Sequence, residues 1–581
     1  MKAKYILLAI PALVSLLIGS CRKDSESSLF DVNPDDIPYN EQKVFADSIQ
    51  TMEFVTSIYR NLSYNYFLDN AEHTGGGYWS FADITDDAEN RWSGNAQIAP
   101  MFNLNTFPSE SGWSRFNNAW TMGYRNIRWC NIFLKNNERV PISAAVKSRL
   151  VGEVKFLRAY YYLHLFRLYS GLPLVGDSVY TLSDPVKATR ATFEETVNYL
   201  SNELDGAAAA LPLKHQASDF GRPTKGAALA LKSKLLLYAA SQLFNGNNIT
   251  TDPAVAPLVG YTNSDPQRWK RAADAAKAVI DLEQYTLLQG NPAITSQHGL
   301  YLATTQRVND ELIFSILPTS GRVTENRLLP PSRGGQYYSF PSHALVDAFD
   351  MSNGKPIADP QSGYSETNPF VNRDPRFYVS ILYQGALWLN TNLTTSSAIN
   401  FAVNSTTGDV FGTSTRTGFL FRKLCNEGAT GGGGLSTNAG LIVSRYAEIL
   451  LNYAEALNEF QGPGTEVYQA IEAIRQRAGL NPYALPASLS KDQMRGIIRN
   501  ERRVELALEE AHRFFDIKRW KVAEDVNKGP LVGRRYATPA SAGERVTAET
   551  RVFIAPKMYN FPIPLTEVNK SGGAILQNPG W

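Results

Sequence analysis

The strongest constraint on this chain is a helical spacing of apolar residues that stops midway and then resumes. Trp120, Tyr124, Ile127, Asn131 and Leu134 recur at three- and four-residue steps, as do Val154, Leu157, Tyr161, Leu165 and Leu168. Residues so spaced share one helix face, which has to be covered by another element. Gly171-Leu172-Pro173 ends the second helix. Residues 193–211, 225–243 and 269–282 read as further helices, and Ala227, Ala228, Ala230, Ala239 and Ala240 permit close approach. The pattern returns over 444–522. Tyr446, Ile449, Leu450, Tyr453 and Leu457 form one stripe, and Val467, Ile471, Ile474 and Ala478 form the next after Gly462-Pro463-Gly464. A further helix pair lies within 491–520. Helix, turn, helix in units of roughly 34–40 residues is the tetratricopeptide rhythm. The expected fold class is all-α dominated, a tetratricopeptide-like helix-pair scaffold with long loop-rich insertions and a few short strands.

Between the blocks, over 286–443, Gly, Asn, Ser and Thr dominate and apolar residues come in short bursts. Segment 68–108 has the same texture. Long loops on a helical scaffold are common places for binding. At 43% hydrophobic residues the chain can bury a large core, and a net charge of +2 offers no global field for nucleic acid. Three cysteines, Cys21, Cys130 and Cys425, exclude a disulfide framework. Whether Cys130 and Cys425 pair is open at this stage.

The first residues read as an address. Lys2 and Lys4 precede an apolar run over 6–18, which is too short for a membrane span. It ends in Ile18-Gly19-Ser20-Cys21, which resembles a lipobox whose cysteine becomes the lipidated N-terminus. The alternative is cleavage elsewhere with Cys21 incidental. The expected division is a signal peptide over 1–20, a lipidated tether over 21–40, a helical region over 41–285 containing the loop 68–108, and a C-terminal region over 286–581. That last region divides into loop-rich 286–443, helical 444–522 and a tail over 523–581.

Catalytic readings fare poorly. Glu501, Glu505 and Glu509 lie at i, i+4 and i+8, with Arg499, Arg502, Arg503 and Arg513 interleaved. A glycosidase needs two carboxylates flanking a bond roughly 5–10 Å apart, and acids in succession on one helix flank nothing, so inter-helix ion pairs are expected. His164 and His512 fall within apolar stripes and read as packing. Asp83, Asp86, Asp87 and Glu89 read as a solvated acidic loop, with sugar contact or calcium the alternative. The glycines 431–434 lack the lysine of a phosphate-binding loop. Neither a metal-ligand spacing nor a nucleophile elbow occurs. No enzyme and no cofactor is expected.

Several blocks together resemble one family. They are Trp120, Tyr124, Ile127 and Asn131; Glu153 with Phe156-Leu157-Arg158-Ala159-Tyr160-Tyr161-Tyr162; and Arg373-Asp374-Pro375-Arg376. Arg445-Tyr446-Ala447-Glu448 with Tyr453-Ala454-Glu455-Ala456 follows, then Arg499-Asn500-Glu501-Arg502-Arg503 through His512-Arg513-Phe514-Phe515-Asp516 to Arg519-Trp520. The ending is Gln577-Asn578-Pro579-Gly580-Trp581. In this order, behind a lipobox, they resemble the SusD/RagB family of outer-membrane nutrient-uptake lipoproteins. The resemblance implies four tetratricopeptide-like helix pairs. It also implies a lipid-anchored protein on the outer membrane, facing the exterior, that captures oligosaccharides for a SusC-like TonB-dependent transporter. A peptide-binding, RagB-like role on the same scaffold is the alternative.

A sugar site needs an aromatic face for the apolar side of a pyranose and polar groups for its hydroxyls. Trp120, Trp129, Trp269 and Trp520 lie on expected helices and read as core. Trp79, Trp92 and Asn95 lie in the loop that, by the resemblance, supplies tryptophans and an asparagine. Arg333, Tyr337 and Tyr338, beside Gln336, lie in the second loop region. Trp113 and Trp388 are the next candidates.

Overall fold

The computed structural model describes residues 41–62, 80–92, 98–107, 114–181, 184, 188–246, 249–317, 323–389, 395–403, 405, 409–410, 416–427 and 440–581. The longer helices are α1 (Ser48–Arg60), α2 (Ser114–Asn136), α3 (Ala144–Tyr169), α4 (Phe193–Ala210) and α5 (Lys225–Ala240). They continue as α6 (Gln267–Ile280), α7 (Tyr446–Gln461), α8 (Thr465–Ala478), α9 (Lys491–Glu505) and α10 (His512–Arg519). Their starts follow from local chemistry. Thr192 with Glu195 opens α4 and Ser490 with Gln493 opens α9, each side chain bonding the other's backbone N–H.

The helices stack in chain order. α2 packs on α3, α3 on α4, α4 on α5 and α5 on α6. α6 then packs on α7, although residues 281–445 separate them, and α8 and α9 both seat on α7. α3 is the axis of the first half. From Phe156 to Tyr169 every residue is buried, so this stretch turns no face to solvent. Its one cation in that stretch facing α2 and α4 is satisfied by both. Arg158 donates to Asn131 Oδ1 and to Glu203 Oε2, each at 2.8 Å. α3 stops at Tyr169. At Gly171 a Cβ would lie 2.4 Å from the Ala191 carbonyl oxygen, so only glycine fits the close pass that follows. The C-terminal tail returns here, with Phe561 N–H donating to Leu168 O at 2.9 Å and Asn578 Nδ2 to Phe561 O at 2.8 Å.

The interruption is not loop alone. It leaves and re-enters the stack through an antiparallel ribbon, Leu312–Ile316 with Leu441–Arg445. Within it Phe340, Phe349, Phe377, Phe401, Phe419 and Phe421 form a second hydrophobic core, completed by Val504, Ala507 and Tyr536. Trp388, a candidate for a sugar platform, is only 2% exposed inside this core.

Buried ion pairs join the two cores. Glu505 on α9 accepts from Arg445 at 2.7 Å, from Arg376 of the insertion at 3.3 Å, and from Arg477 of α8. Arg376 also reaches Glu501 at 2.8 Å and Asp374 at 2.7 Å, and Arg445 reaches Glu311 at 2.6 Å and Glu509 at 2.7 Å. Glu501 and Glu505 thus pair between helices, with Arg475 and Arg477 of α8, whereas Glu509 lies past the end of α9 and pairs with Arg445 and Lys423 outside the helices. Burial opposes the charge on Glu505, but Arg477, Arg445 and Arg376 outweigh it and hold the carboxyl far below its usual range. His164 and His512 are buried in the packing. Cys130 and Cys425 are free thiols in separate cores and do not pair.

Candidate functional site

The two loop regions meet along a three-residue ribbon. Ala88–Asn90 pairs antiparallel with Ser339–Pro341, Asn90 opposite Ser339. The pairing runs one step further, with Arg91 N–H donating to Tyr338 O at 2.9 Å. This delivers Arg91 and Trp92 from one loop beside Gln336 and Tyr338 from the other. The Arg91 guanidinium lies 4.9 Å from the centre of the Trp92 ring and 5.9 Å from that of Tyr338. Its Nη1 donates to Gln336 O at 2.8 Å. Trp92 is 38% exposed, Gln336 is exposed and Tyr338 is half-buried, its hydroxyl donating to Gln336 Oε1.

Buried acids hold this cluster from beneath. Asp83 accepts from the Ser339 hydroxyl, from Asn90 Nδ2 at 2.9 Å and from Ser80 N–H at 2.9 Å. Asn90 Oδ1 in turn accepts from Trp92 N–H at 3.1 Å. Burial pushes the Asp83 carboxyl up to about 6 against those hydrogen bonds. Asp86 takes Arg513 at 2.7 Å and Arg503 at 2.9 Å, while Asp87 takes Arg503 at 2.7 Å. Burial works against the charge on Asp86, and Arg503 and Arg513 overcome it to hold the carboxyl at about 2. Glu89 pairs with Arg416. Asp83, Asp87 and Glu89 are buried and Asp86 half-buried, so the acidic segment is not a solvated loop. Each carboxylate already has a partner, and among the described residues no cluster of His, Cys, Asp and Glu could hold a metal ion.

Comparison with known proteins places this architecture. Residues 306–581 match the model of the SusD family, and residues 35–237 match a model described as starch-binding associating with outer membrane. This chain belongs to the SusD/RagB family. SusD-like protein P2 of Formosa agariphila is 24% identical to it over 468 residues, 80% of each chain. A SusD-like protein from Bacteroides fragilis superposes with a TM-score of 0.73 at 25% identity, covering 93% of this chain and 98% of its own. A structure described as a laminarin binding SusD-like protein superposes with a TM-score of 0.61 at 20% identity, covering 92% and 100%.

On this SusD/RagB scaffold the candidate residues separate. Trp92 and Tyr338 come together at the surface around Arg91. Arg333 does not join them. It is 3% exposed, its Nε and Nη2 bonded to Asp409 at 2.8 and 2.9 Å and its Nη1 to Ser397 Oγ at 2.9 Å. Tyr337 also points inward, 3% exposed, with its hydroxyl on Val410 O and its ring 5.8 Å from Phe340. Neither can present a face to a ligand in this conformation, so both are corrected to interior roles. Trp120 and Trp520 are buried, and Trp129 and Trp269 are half-buried. Trp79, Asn95, Trp113 and Cys21 lie outside the described residues. The bridging role of Arg91 had no local signal, since its partner Gln336 is 245 positions away.

Proposed function

We propose that this chain binds glycans at the Arg91, Trp92, Gln336 and Tyr338 cluster and passes them to a SusC-like TonB-dependent transporter. The observation that carries the reading is the ribbon that sets an exposed indole and a phenol on either side of one guanidinium, with an amide beside them. The indole offers a flat apolar surface to a sugar ring, and the guanidinium, amide and phenol offer partners to its hydroxyls. The family models and the laminarin-binding relative support a carbohydrate over a peptide. No pair of acids in the cluster flanks a position where a glycosidic bond could sit, so we read the protein as a binder that leaves its ligand intact.

The site is shallow and buries little, so affinity is expected between about −4 and −8 kcal/mol, millimolar to micromolar. We place the protein on the outer membrane facing the exterior, held by acyl chains on Cys21. Each buried CH₂ contributes about 0.8 kcal/mol, so two or three chains anchor firmly, and tethering keeps the body at high effective concentration over its transporter.

The test is calorimetric titration with a panel of oligosaccharides, comparing wild type with Trp92→Ala and Tyr338→Ala. Glycan binding that weakens in both folded variants, with the sugar recovered uncleaved, supports the reading. Binding to peptides and to no glycan would move the assignment to a RagB-like peptide binder. Purification in mild detergent at native expression should recover a TonB-dependent barrel, and Cys21→Ala should release the protein from membranes.

A further inference from the structure

The motif that ends the second helical block contains one arginine the fold does not use as it uses the others. Arg502 pairs with Asp516 at 3.1 Å, Arg503 with Asp87 at 2.7 Å, Arg513 with Asp86 at 2.7 Å and Arg519 with Glu455 at 2.5 Å. Arg499 forms no such pair among the described residues. Its guanidinium carbon lies 4.8 Å from the centre of the Trp520 ring, and its Nε is buried without an acceptor.

Arg499 faces an open cleft of about 430 Å³ between α5, α6, α7 and α9. Two carboxylates line the same cleft, and both are engaged elsewhere. Glu455 accepts from Arg519 at 2.5 and 2.7 Å and from Trp520 Nε1 at 2.7 Å. Glu459 accepts from Arg495 at 2.7 Å, with Lys491 at 3.7 Å. With both carboxylates held by other cations, Arg499 is the cleft's arginine left without a hydrogen-bonded carboxylate among the described residues. Burial lowers its pKa; Glu455 and Glu459 of the cleft oppose that, and Arg519 and Arg495 add to it. A planar fork of N–H donors suits a carboxylate taken through both oxygens. Trp269, half-buried on α6, also lines the cleft. Trp520 is 3% exposed and already covered by Arg499 and Arg519, so Trp269 is the indole with surface to offer.

We propose that Arg499 anchors a second binding site, for a monocarboxylate carried on a small ring, with the carboxylate on the guanidinium and the ring against Trp269. Uronic acids and aromatic carboxylates share this chemistry. The cleft falls within the usual range of small-ligand pockets, roughly 300–1,000 Å³. It shares no lining residue with the Trp92 cluster and does not depend on the glycan reading of that cluster.

The purified full-length protein, wild type and Trp92→Ala, is titrated with glucuronate, benzoate, glucose and acetate at constant ionic strength. Heat and indole fluorescence are followed. Saturable binding of glucuronate or benzoate is expected in both proteins, and which of the two binds identifies the ring. Acetate should bind more weakly, and glucose should not bind the Trp92→Ala protein. Arg499→Gln should weaken the ring carboxylate by about tenfold or more, and Arg499→Lys by less, since it keeps the charge but loses the fork. Trp269→Ala should weaken the ring carboxylate and leave acetate unchanged. If Arg499→Gln does not fold, judged by its melt, the Arg499→Lys and Trp269→Ala variants decide. Failure of both ring carboxylates to bind, or binding unchanged in the folded Arg499 and Trp269 variants, would overturn the proposal. Loss of binding in Trp92→Ala alone would assign the signal to the first cluster and overturn the second site.

Discussion

Guanidinium groups do opposite work in two regions of this molecule. Around Glu505, three arginines from the insertion, the stem ribbon and α8 converge on one carboxylate out of reach of water. At Arg91 a single half-buried guanidinium sits between two aromatic rings, beside the exposed Trp92. Burial decides the difference. A desolvated charge must be matched within the protein or it opposes folding, whereas an exposed one is hydrated and can exchange water for a ligand. Charges in the first region are therefore spent on architecture and, in the proposed function, those in the second take part in recognition.

The largest expected effect tests the buried side. Glu505→Ala leaves Arg376, Arg445 and Arg477 short of a partner, and removing one member of a buried ion-pair set typically costs about 3–5 kcal/mol. Urea unfolding of the protein should show that loss. A change below about 1 kcal/mol would mean that Glu311, Glu501 and Glu509 suffice.

Acid should attack the buried ion pairs throughout the molecule. Burial opposes the charges on Glu455, Glu510 and Asp86, yet their arginines and, for Glu510, Lys234 hold each at about 2. Carboxyls depressed on folding stabilise fully above their unfolded values near 4 and lose that contribution as pH falls through the folded ones. Cooperative acid unfolding between about pH 4 and 2 is expected, followed by circular dichroism. A flat profile across that window would contradict the role given to these pairs.

On the exposed side, Trp92→Ala should weaken glycan binding about tenfold, near 1.4 kcal/mol, and change unfolding by no more than about 0.5 kcal/mol. A large loss of stability with unaltered binding would make Trp92 a packing residue and dissolve the contrast.

Lys518 sharpens the rule, being a buried cation with no carboxylate paired to it among the described residues. Its Nζ has no hydrogen-bond partner and lies 4.8 Å from the Phe514 ring and 5.6 Å from Phe561. Burial pushes it down to about 7 from 10.5. Between those values the unfolded chain binds more protons than the folded one, so stability rises with pH across that window. Lys518→Met should therefore stabilise at pH 7 by about 1 kcal/mol, and the advantage should shrink as pH approaches 10. A gain independent of pH would point to packing instead.

Much of the scaffold was legible because its helices are long and each carries its own stripe. The stripe from Trp120 to Leu134 lies on α2, that from Val154 to Leu168 on α3, and those of the second block on α7 and α8. The insertion hid its core because no short stretch shows a period. Phe340 and Phe419 meet only after the chain has folded back on itself. The same reason misplaced Arg333 and Tyr337. Both sit in a polar, glycine-rich stretch, yet their partners Asp409 and Val410 lie more than seventy residues on. Trp92 and Tyr338 were legible as candidates one by one. Their convergence on Arg91 was not, since strands of three residues leave no pattern of their own.

The stem ribbon carries a consequence for how such a chain can diversify. α6 and α7 would pack on each other whatever lies between them, and the strands Leu312–Ile316 and Leu441–Arg445 bring the two ends of the excursion together. Closing a flexible segment costs only about 0.6 kcal/mol more for each doubling of its length. Residues can thus be added to or removed from the loops of the excursion, away from its own core and the Arg376 ion pairs, with little thermodynamic penalty to the stack. Selection is then free to re-cut the excursion while the helical stack that carries it keeps the same geometry.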